Sequence, residues 1–369
     1  MSSQVRTFLL SVAFVSYVLL KLQVELPTSA VQAFGIAALG ILALSKWWIV
    51  PREMLVLVGL GVIVIGTGWL FSEGGDGNAL NSLLVFLSFP VAMAASIGVS
   101  DTRLFRNVMM VILIVCIIGF VQGNVSVSYS GDIREERWVL GFQRPTFLSE
   151  AMTLLVVAAV GYPWKDKSGR LLMIILVLAA VVVLIRTGSR AGLGASLIFL
   201  FLIAMGGFST EWRKIITLGV AVICLAGLSM SFWRYLDYDA IDALSTGRWG
   251  IFLMEYGGNI VDFSHVLFGN NAAATVFEYS ADRDGFVYHL DSFFGERLIT
   301  TGLLGLVTVV LQVWVYSKHC LPHGRAIIAA CVFYGVFENS VFNLTSMFST
   351  YMLLFSALWL RSRPGSRVR

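Results

Sequence analysis

Runs of about twenty apolar residues recur along the whole of this 369-residue chain. A helix of that length crosses about 30 Å of hydrocarbon, where each backbone N–H and C=O must find its partner within the segment. The chain is 57% hydrophobic and 13% charged, whereas a soluble domain is roughly 25% charged. The runs therefore predict an all-α polytopic membrane protein, a single transmembrane domain over 1–369. They mark about twelve spans: 7–24, 28–45, 53–71, 80–99, 107–122, 145–162, 171–187, 191–207, 214–231, 297–316, 326–342 and 346–360. Thr28-Ser29-Ala30 follows the first run as a weak signal-cleavage pattern. The length of that run favours an uncleaved span.

Charge placement gives an orientation. With the N-terminus inside, sixteen of the 26 Lys+Arg fall on inside segments and nine on outside ones, with Lys21 at the outer end of the first span. Five of the six lysines are inside, and the loops outside carry arginine alone. Inside segments of membrane proteins concentrate Lys and Arg. The pattern supports twelve spans and predicts both termini in the cytoplasm. Lys and Arg serve that rule equally, but only Arg offers a planar fork that binds phosphate or carboxylate through two hydrogen bonds. The outward arginines thus point to an anion, or to pairing with acids of the same loops for Arg134, Arg137 and Arg283. The +4 net charge carries no nucleic-acid signature.

Two outward segments are long. Residues 123–144 have mixed charge and end on Arg144-Pro145. Residues 232–296 form a large loop with ten acids and many aromatics, which suits carbohydrate and equally suits a membrane-interface belt. The cytoplasmic connections are short and leave no room for a catalytic domain there. Cys116, Cys224 and Cys331 lie in apolar runs and Cys320 in a short loop. No CxxC occurs, so neither a zinc site nor a disulfide framework is indicated.

The polar interruption Arg186-Thr187-Gly188-Ser189-Arg190-Ala191-Gly192 falls between spans seven and eight. Arginine at membrane depth costs roughly 2.5–3.5 kcal/mol and is usually paired or functional. Helical geometry through Gly188 would put Arg186 and Arg190 on one face. In the large loop, Ser245-Thr246-Gly247-Arg248 reads as a capped helix start, which places Arg248 near backbone N–H groups that favour anions. The same loop ends on His289-Leu290-Asp291-Ser292-Phe293. A histidine titrates near pH ~6.5 and can take a proton from a hydroxyl; Asp291 could orient it. Glu150, in the sixth span, reads as a second-rank candidate or as the partner of an arginine across the bundle. Glu338 and Asn339 lie at the outer end of span eleven with no motif. No P-loop, HExxH or GxSxG is present.

Thr187-Gly188-Ser189-Arg190-Ala191-Gly192 resembles the SRxA/SRGA signature of the O-antigen polymerase/ligase (Wzy/WaaL) superfamily. Ser245-Thr246-Gly247-Arg248 resembles that family's SGR segment. His289 through Gly305 is similar to its HNxxL…GxxGxxG segment, although Leu290 stands where the family often has Asn. The matched core covers about 184–316. The resemblance implies a bacterial inner-membrane, GT-C-like, metal-independent glycosyltransferase that needs no cofactor. It would move a glycan from undecaprenyl diphosphate to an acceptor hydroxyl in the periplasm. By that implication Arg190 and Arg248 contact the diphosphate with Arg186 assisting, and His289 is the base; Arg144, before Pro145, and Asp291 read from their positions as further candidate substrate contacts. The partners implied are a lipid-linked oligosaccharide, membrane lipids and a chain-length-regulating co-polymerase. A polymerase is favoured slightly over a ligase acting on lipid A core or protein. A twelve-span transporter or flippase is the reading from another class.

Overall fold

A computed structural model describes residues 1–22, 28–71, 79–128, 136–206, 263–269, 277–278, 287–288, 292–338 and 340–360. The chain is mostly helical: α1 Ser3–Leu19, α2 Thr28–Leu44, α3 Arg52–Phe71, α4 Ala79–Ser96, α5 Asp101–Val121, α6 Pro145–Gly161, α7 Lys167–Thr187 and α8 Arg190–Met205. A short α9, Phe263–Phe268, precedes α10 Phe293–His319, α11 Pro322–Phe337 and α12 Met347–Ala357. Of these, α3, α4, α5, α7 and α10 are long and apolar enough to cross a membrane, and the other six, α9 apart, are shorter apolar helices. The ninth expected span, 214–231, lies outside the described residues.

Several helices begin before the apolar run that marks them. α5 starts at Asp101, ahead of Arg103 and Arg106, and α7 at Lys167, ahead of Arg170. Long basic side chains can lie along an apolar face with their charge in water, so a helix outlasts its hydrophobic stretch. Side-chain caps fix several starts. Ser2 accepts from Val5 N–H, Asp166 from Gly169 N–H, and Ser346 from Ser349 N–H. Asp166 is exposed, and its bonds from the Ser168 hydroxyl and the Gly169 N–H hold its carboxyl below the usual carboxylate range.

The helices surround two buried members. In α6 every residue from Leu148 to Ala159 is buried, and so is all of α12. By contrast α7 buries only Ala180, Leu184 and Thr187. α7 therefore sits at the rim of the bundle, packed on α6 and α8.

The described helices alternate between two ends. At one end the Arg6 guanidinium donates to Ser45 Oγ at 2.6 Å, Leu42 O at 3.1 Å, Ala94 O at 3.2 Å and Ala95 O at 3.3 Å. A cation there satisfies the last carbonyls of α2 and α4. The opposite end carries the α7–α8 turn. There the end of α1 is stapled to the start of α6: Gln143 N–H donates to Lys21 O at 2.9 Å, Gln143 Nε2 to Leu22 O at 2.6 Å, and Leu22 bridges Phe142.

Within 123–144 the chain forms a hairpin. β1 Ser126–Ser128 pairs antiparallel with β2 Glu136–Trp138, in register Val127 to Arg137. The alternation Val125-Ser126-Val127-Ser128 is a strand signal. Gly119 of α5 admits the chain that follows, because a Cβ there would fall 2.3 Å from the Leu140 carbonyl carbon. A second small pair, β3 Phe277–Glu278 and β4 Val287–Tyr288, lies in the large loop.

α10 is not one straight helix. Gly302 has φ 64° and ψ −169°, which breaks it into two halves. A Cβ on Gly302 would meet the backbone of Leu267 and Gly269 at 2.5 Å, so the end of α9 docks into the break. The expected span 297–316 thus becomes a bent helix of 27 residues.

Candidate functional site

The turn between α7 and α8 consists of two residues. Gly188 caps α7 in the left-handed conformation at φ 66°, and its N–H donates to Ile185 O at 3.2 Å. Thr187 is buried, donates to Leu184 O at 2.7 Å and accepts from Ser189 N–H at 3.3 Å. Ser189 is the N-cap of α8 and accepts from Gly192 N–H at 3.3 Å. Arg190 is the first residue of α8. Its neighbours explain the spacing: Ala191 is buried, and a Cβ at Gly192 would fall 1.9 Å from Ser149 Oγ of α6.

Gly188 ends α7 before Arg190 is reached. Helical geometry does not run through the turn, so Arg186 and Arg190 stand on two helices, on either side of the break expected between spans seven and eight. They flank a reversal, and both are exposed. Arg186 stands in the last turn of α7, where a cation complements the carbonyl end of the helix. Arg190 stands at the start of α8, beside N–H groups left without intrahelical partners.

The hairpin brings in a residue read earlier as one arginine among the loop charges. The Arg137 guanidinium lies on Gly188: a Cβ there would sit 3.3 Å from Arg137 Nε and 3.5 Å from Cζ. The next residue, Trp138, lies under Arg186, with Cζ 5.9 Å from the ring centre. The hairpin therefore brings Arg137 and Trp138 to the turn that Arg186 precedes and Arg190 directly follows. No local motif marks Arg137; the β1–β2 pairing alone brings it to the turn. Arg144 is exposed at the N-cap of α6, ahead of Pro145 at the first helical position, on the same end of the bundle.

Charge also enters the interior at this end. Arg297, in the first half of α10, is 1% exposed. It ion-pairs with Glu296, donates to Ser82 Oγ of α4 at 3.1 Å, and lies 5.7 Å from the Phe293 ring centre. Sequence position put it among the outward arginines; the fold turns it inward. Glu150 of α6 is 3% exposed, and the charge that faces it is Lys21 rather than an arginine. Lys21 lies over the Phe147 ring at 3.8 Å. Lys21 thus has a local carboxyl group to meet.

Arg248, His289 and Asp291 lie outside the described residues, as do the Ser245–Met254 helix start, Arg134 and Asn339. Glu338 terminates α11 as its C-cap. Among the described residues no group of His, Cys, Asp and Glu could hold a metal ion. The turn, with Arg137 against it and Arg186 and Arg190 flanking it in the chain, can receive an anion from the side of the bundle end. Compared with known proteins, the chain matches no family model and no curated protein.

Proposed function

We propose that this chain is an inner-membrane glycosyltransferase that polymerises lipid-linked glycans at the periplasmic face. The observation that carries this reading is the placement of Arg137, Arg186 and Arg190 at the Gly188-Ser189 turn. Guanidinium forks suit a diphosphate, and an exposed turn at a bundle end is where a lipid headgroup meets the protein. The proposed architecture is twelve spans, GT-C-like, with both termini cytoplasmic and the loop 232–296 in the periplasm. In the reaction the acceptor hydroxyl oxygen attacks the anomeric carbon of the donor. The bond from that carbon to the diphosphate oxygen breaks, and its electron pair leaves on the undecaprenyl diphosphate. Arg190 and Arg248 stabilise that charge with Arg186 assisting. His289, set by Asp291, takes the hydroxyl proton. Arg144 is a further donor contact. The donor bond is already activated, so neither ATP nor a cofactor enters.

Ligation to lipid A core or protein uses the same donor half with a different acceptor. A transporter or flippase fits less well. Transporters concentrate functional charge near the membrane midplane, whereas Arg297, Glu296 and Glu150 all lie toward one end of the bundle. The family resemblance of the Ser189-Arg190-Ala191-Gly192 stretch supports the same assignment, and a co-polymerase partner would follow from it.

The test is lengthening of undecaprenyl-diphosphate-linked oligosaccharide by purified protein in EDTA without ATP. Wild type should lengthen it. Arg190→Lys should fold and insert normally yet lose about 100-fold or more, since a point charge cannot replace the fork. Undiminished polymer length in Arg190→Lys would remove the central claim.

A further inference from the structure

Trp138 is a half-buried indole in the β1–β2 hairpin, and no role has been given to it so far. Its ring centre lies 5.9 Å from Arg186 Cζ. A guanidinium over an aromatic face within about 6 Å is attracted by the ring, and the indole attracts it most strongly. Arg186 needs such a partner more than most. It is exposed, and it ends a rim helix that buries only Ala180, Leu184 and Thr187. A long exposed side chain loses rotamer freedom when a ligand fixes it, and a contact that already restrains it reduces that loss.

The indole is fixed from elsewhere in the bundle. Trp138 pairs with Ser126 across the hairpin. Just beyond it, Val139 N–H and Gly141 N–H donate to Val125 O and Asn124 O, each at 2.9 Å. Leu140 holds φ 43° without being glycine, and its carbonyl is pressed against Gly119 of α5. Strained backbone of this kind persists only where its surroundings enforce it. Phe142 is wholly buried and bridges Leu22, and Gln143 is stapled to Lys21. Residues 139–143 thus join the hairpin to α5 and to the end of α1. On its other side the hairpin sets Arg137 against Gly188. The place of the ring is therefore decided by α1 and α5, and the ring sets the Arg186 guanidinium rather than the reverse.

We infer that Trp138 is a positioning residue, whose ring holds the Arg186 guanidinium at the α7–α8 turn in readiness for the diphosphate of the lipid-linked donor. Trp138 acts through Arg186 and does not itself touch the diphosphate. The hairpin within 123–144 thereby belongs to the donor side of the site. This inference rests on the proposed glycosyl transfer and deepens its donor half. A preset guanidinium reduces the ordering cost of binding, so the effect is read first in donor affinity.

The experiment measures binding of undecaprenyl diphosphate to the full-length protein in phosphatidylcholine nanodiscs. The proteins are wild type, Trp138→Leu, Trp138→Phe, Arg186→Ala and the Trp138→Leu/Arg186→Ala double variant, and thermal unfolding of each runs alongside. Trp138→Leu should raise Kd about two- to fivefold, the size of one exposed cation–π contact. Trp138→Phe keeps an aromatic face and should raise it less. In the Arg186→Ala background Trp138→Leu should change Kd no further, because the group it acts through is gone. An unchanged Kd in Trp138→Leu overturns the inference. So does an equal rise with and without Arg186, which is what a membrane-interface anchor or a packing residue gives, or a rise that follows unfolding temperature across the series. Lengthening of lipid-linked oligosaccharide by the same wild-type protein decides the transfer reading separately. Binding without lengthening overturns that reading, while the double-variant comparison still decides the role of Trp138. Wild type that does not bind the diphosphate overturns both.

Discussion

Gln312 of α10 donates from Nε2 to the carbonyl oxygen of Phe86 in α4, at 3.0 Å. That carbonyl lies four residues before Pro90, which has no N–H to give it. A buried glutamine on one helix thus answers a vacancy made by proline on another, and fixes how α10 sits against α4. Gln312→Leu should cost about 1–3 kcal/mol, because the Phe86 carbonyl loses its partner in the interior. In a Pro90→Ala background the restored N–H satisfies that carbonyl, so the same change should cost much less. A double-mutant cycle on thermal unfolding in detergent reads the difference; equal costs in both backgrounds would refute the pairing.

Gly188 sits at φ 66° with the Arg137 guanidinium against its α-carbon. Gly188→Ala should destabilise by about 1–2 kcal/mol from backbone strain alone. Gly188→Val should do worse, since a branched side chain is least suited to positive φ. Both should also displace Arg137, so glycan lengthening should fall further than Arg137→Ala alone makes it fall. Side-by-side stability and lengthening assays of the three variants check this.

The contact between Gly192 and Ser149 admits a compensation test. Gly192→Ala should cost about 1–3 kcal/mol through overpacking. Ser149→Ala removes the oxygen that lies 1.9 Å from the new methyl but leaves its own Cβ at 3.2 Å. The double variant should therefore recover part of the loss and not all of it. Additive costs, measured by unfolding temperature, would show that α6 and α8 are less closely apposed.

Removing Arg297 strands the Glu296 carboxylate in the interior. Arg297→Met should cost about 3–5 kcal/mol, the usual result of breaking a buried pair from one side. Arg297→Met with Glu296→Gln should recover most of that. If the double variant is no more stable than the single one, the ion pair is not what Arg297 contributes.

Asp166 gives a pH-dependent helix start. Its carboxyl is held below the usual range by the bonds it accepts from Ser168 and Gly169, so the cap is present at neutral pH. It is lost only as pH falls through that lowered value. Hydrogen exchange at the Gly169 amide should quicken below about pH 4, the ordinary Asp range. Asp166→Asn, which also caps, should show no such acid dependence beyond the intrinsic exchange rate.

Where the information was local, the residues announced the structure. Long apolar runs marked the helices, and the turn at Gly188-Ser189 was legible because glycine ends one helix and serine starts the next. Where it was not local, they did not. Gly302 read as one letter of a motif, yet its conformation depends on Leu267 and Gly269, more than thirty residues away. Arg297 was counted with the outward arginines because its helix position suits either environment; Ser82 and Glu296 decide it. Arg137 belongs to the turn only because a hairpin folds back, and a three-residue strand gives a faint signal. Arg248 and His289 lie outside the described residues, so their part in the site rests on the motifs alone.

The first helix of the chain meets the last. Tyr351 donates its hydroxyl to Leu10 O across 341 residues, and its ring meets Phe14 edge-on at 4.6 Å. Synthesis at about 5–20 residues per second puts roughly 20–70 s between the two partners. For that time α1 lacks its final neighbour. Arg6 finds its carbonyls on α2 and α4 much sooner. The N-terminal helix is thus held early at both of its ends, by Arg6 and by the Lys21–Gln143 staple, and the Tyr351 bond one turn along from Arg6 closes last.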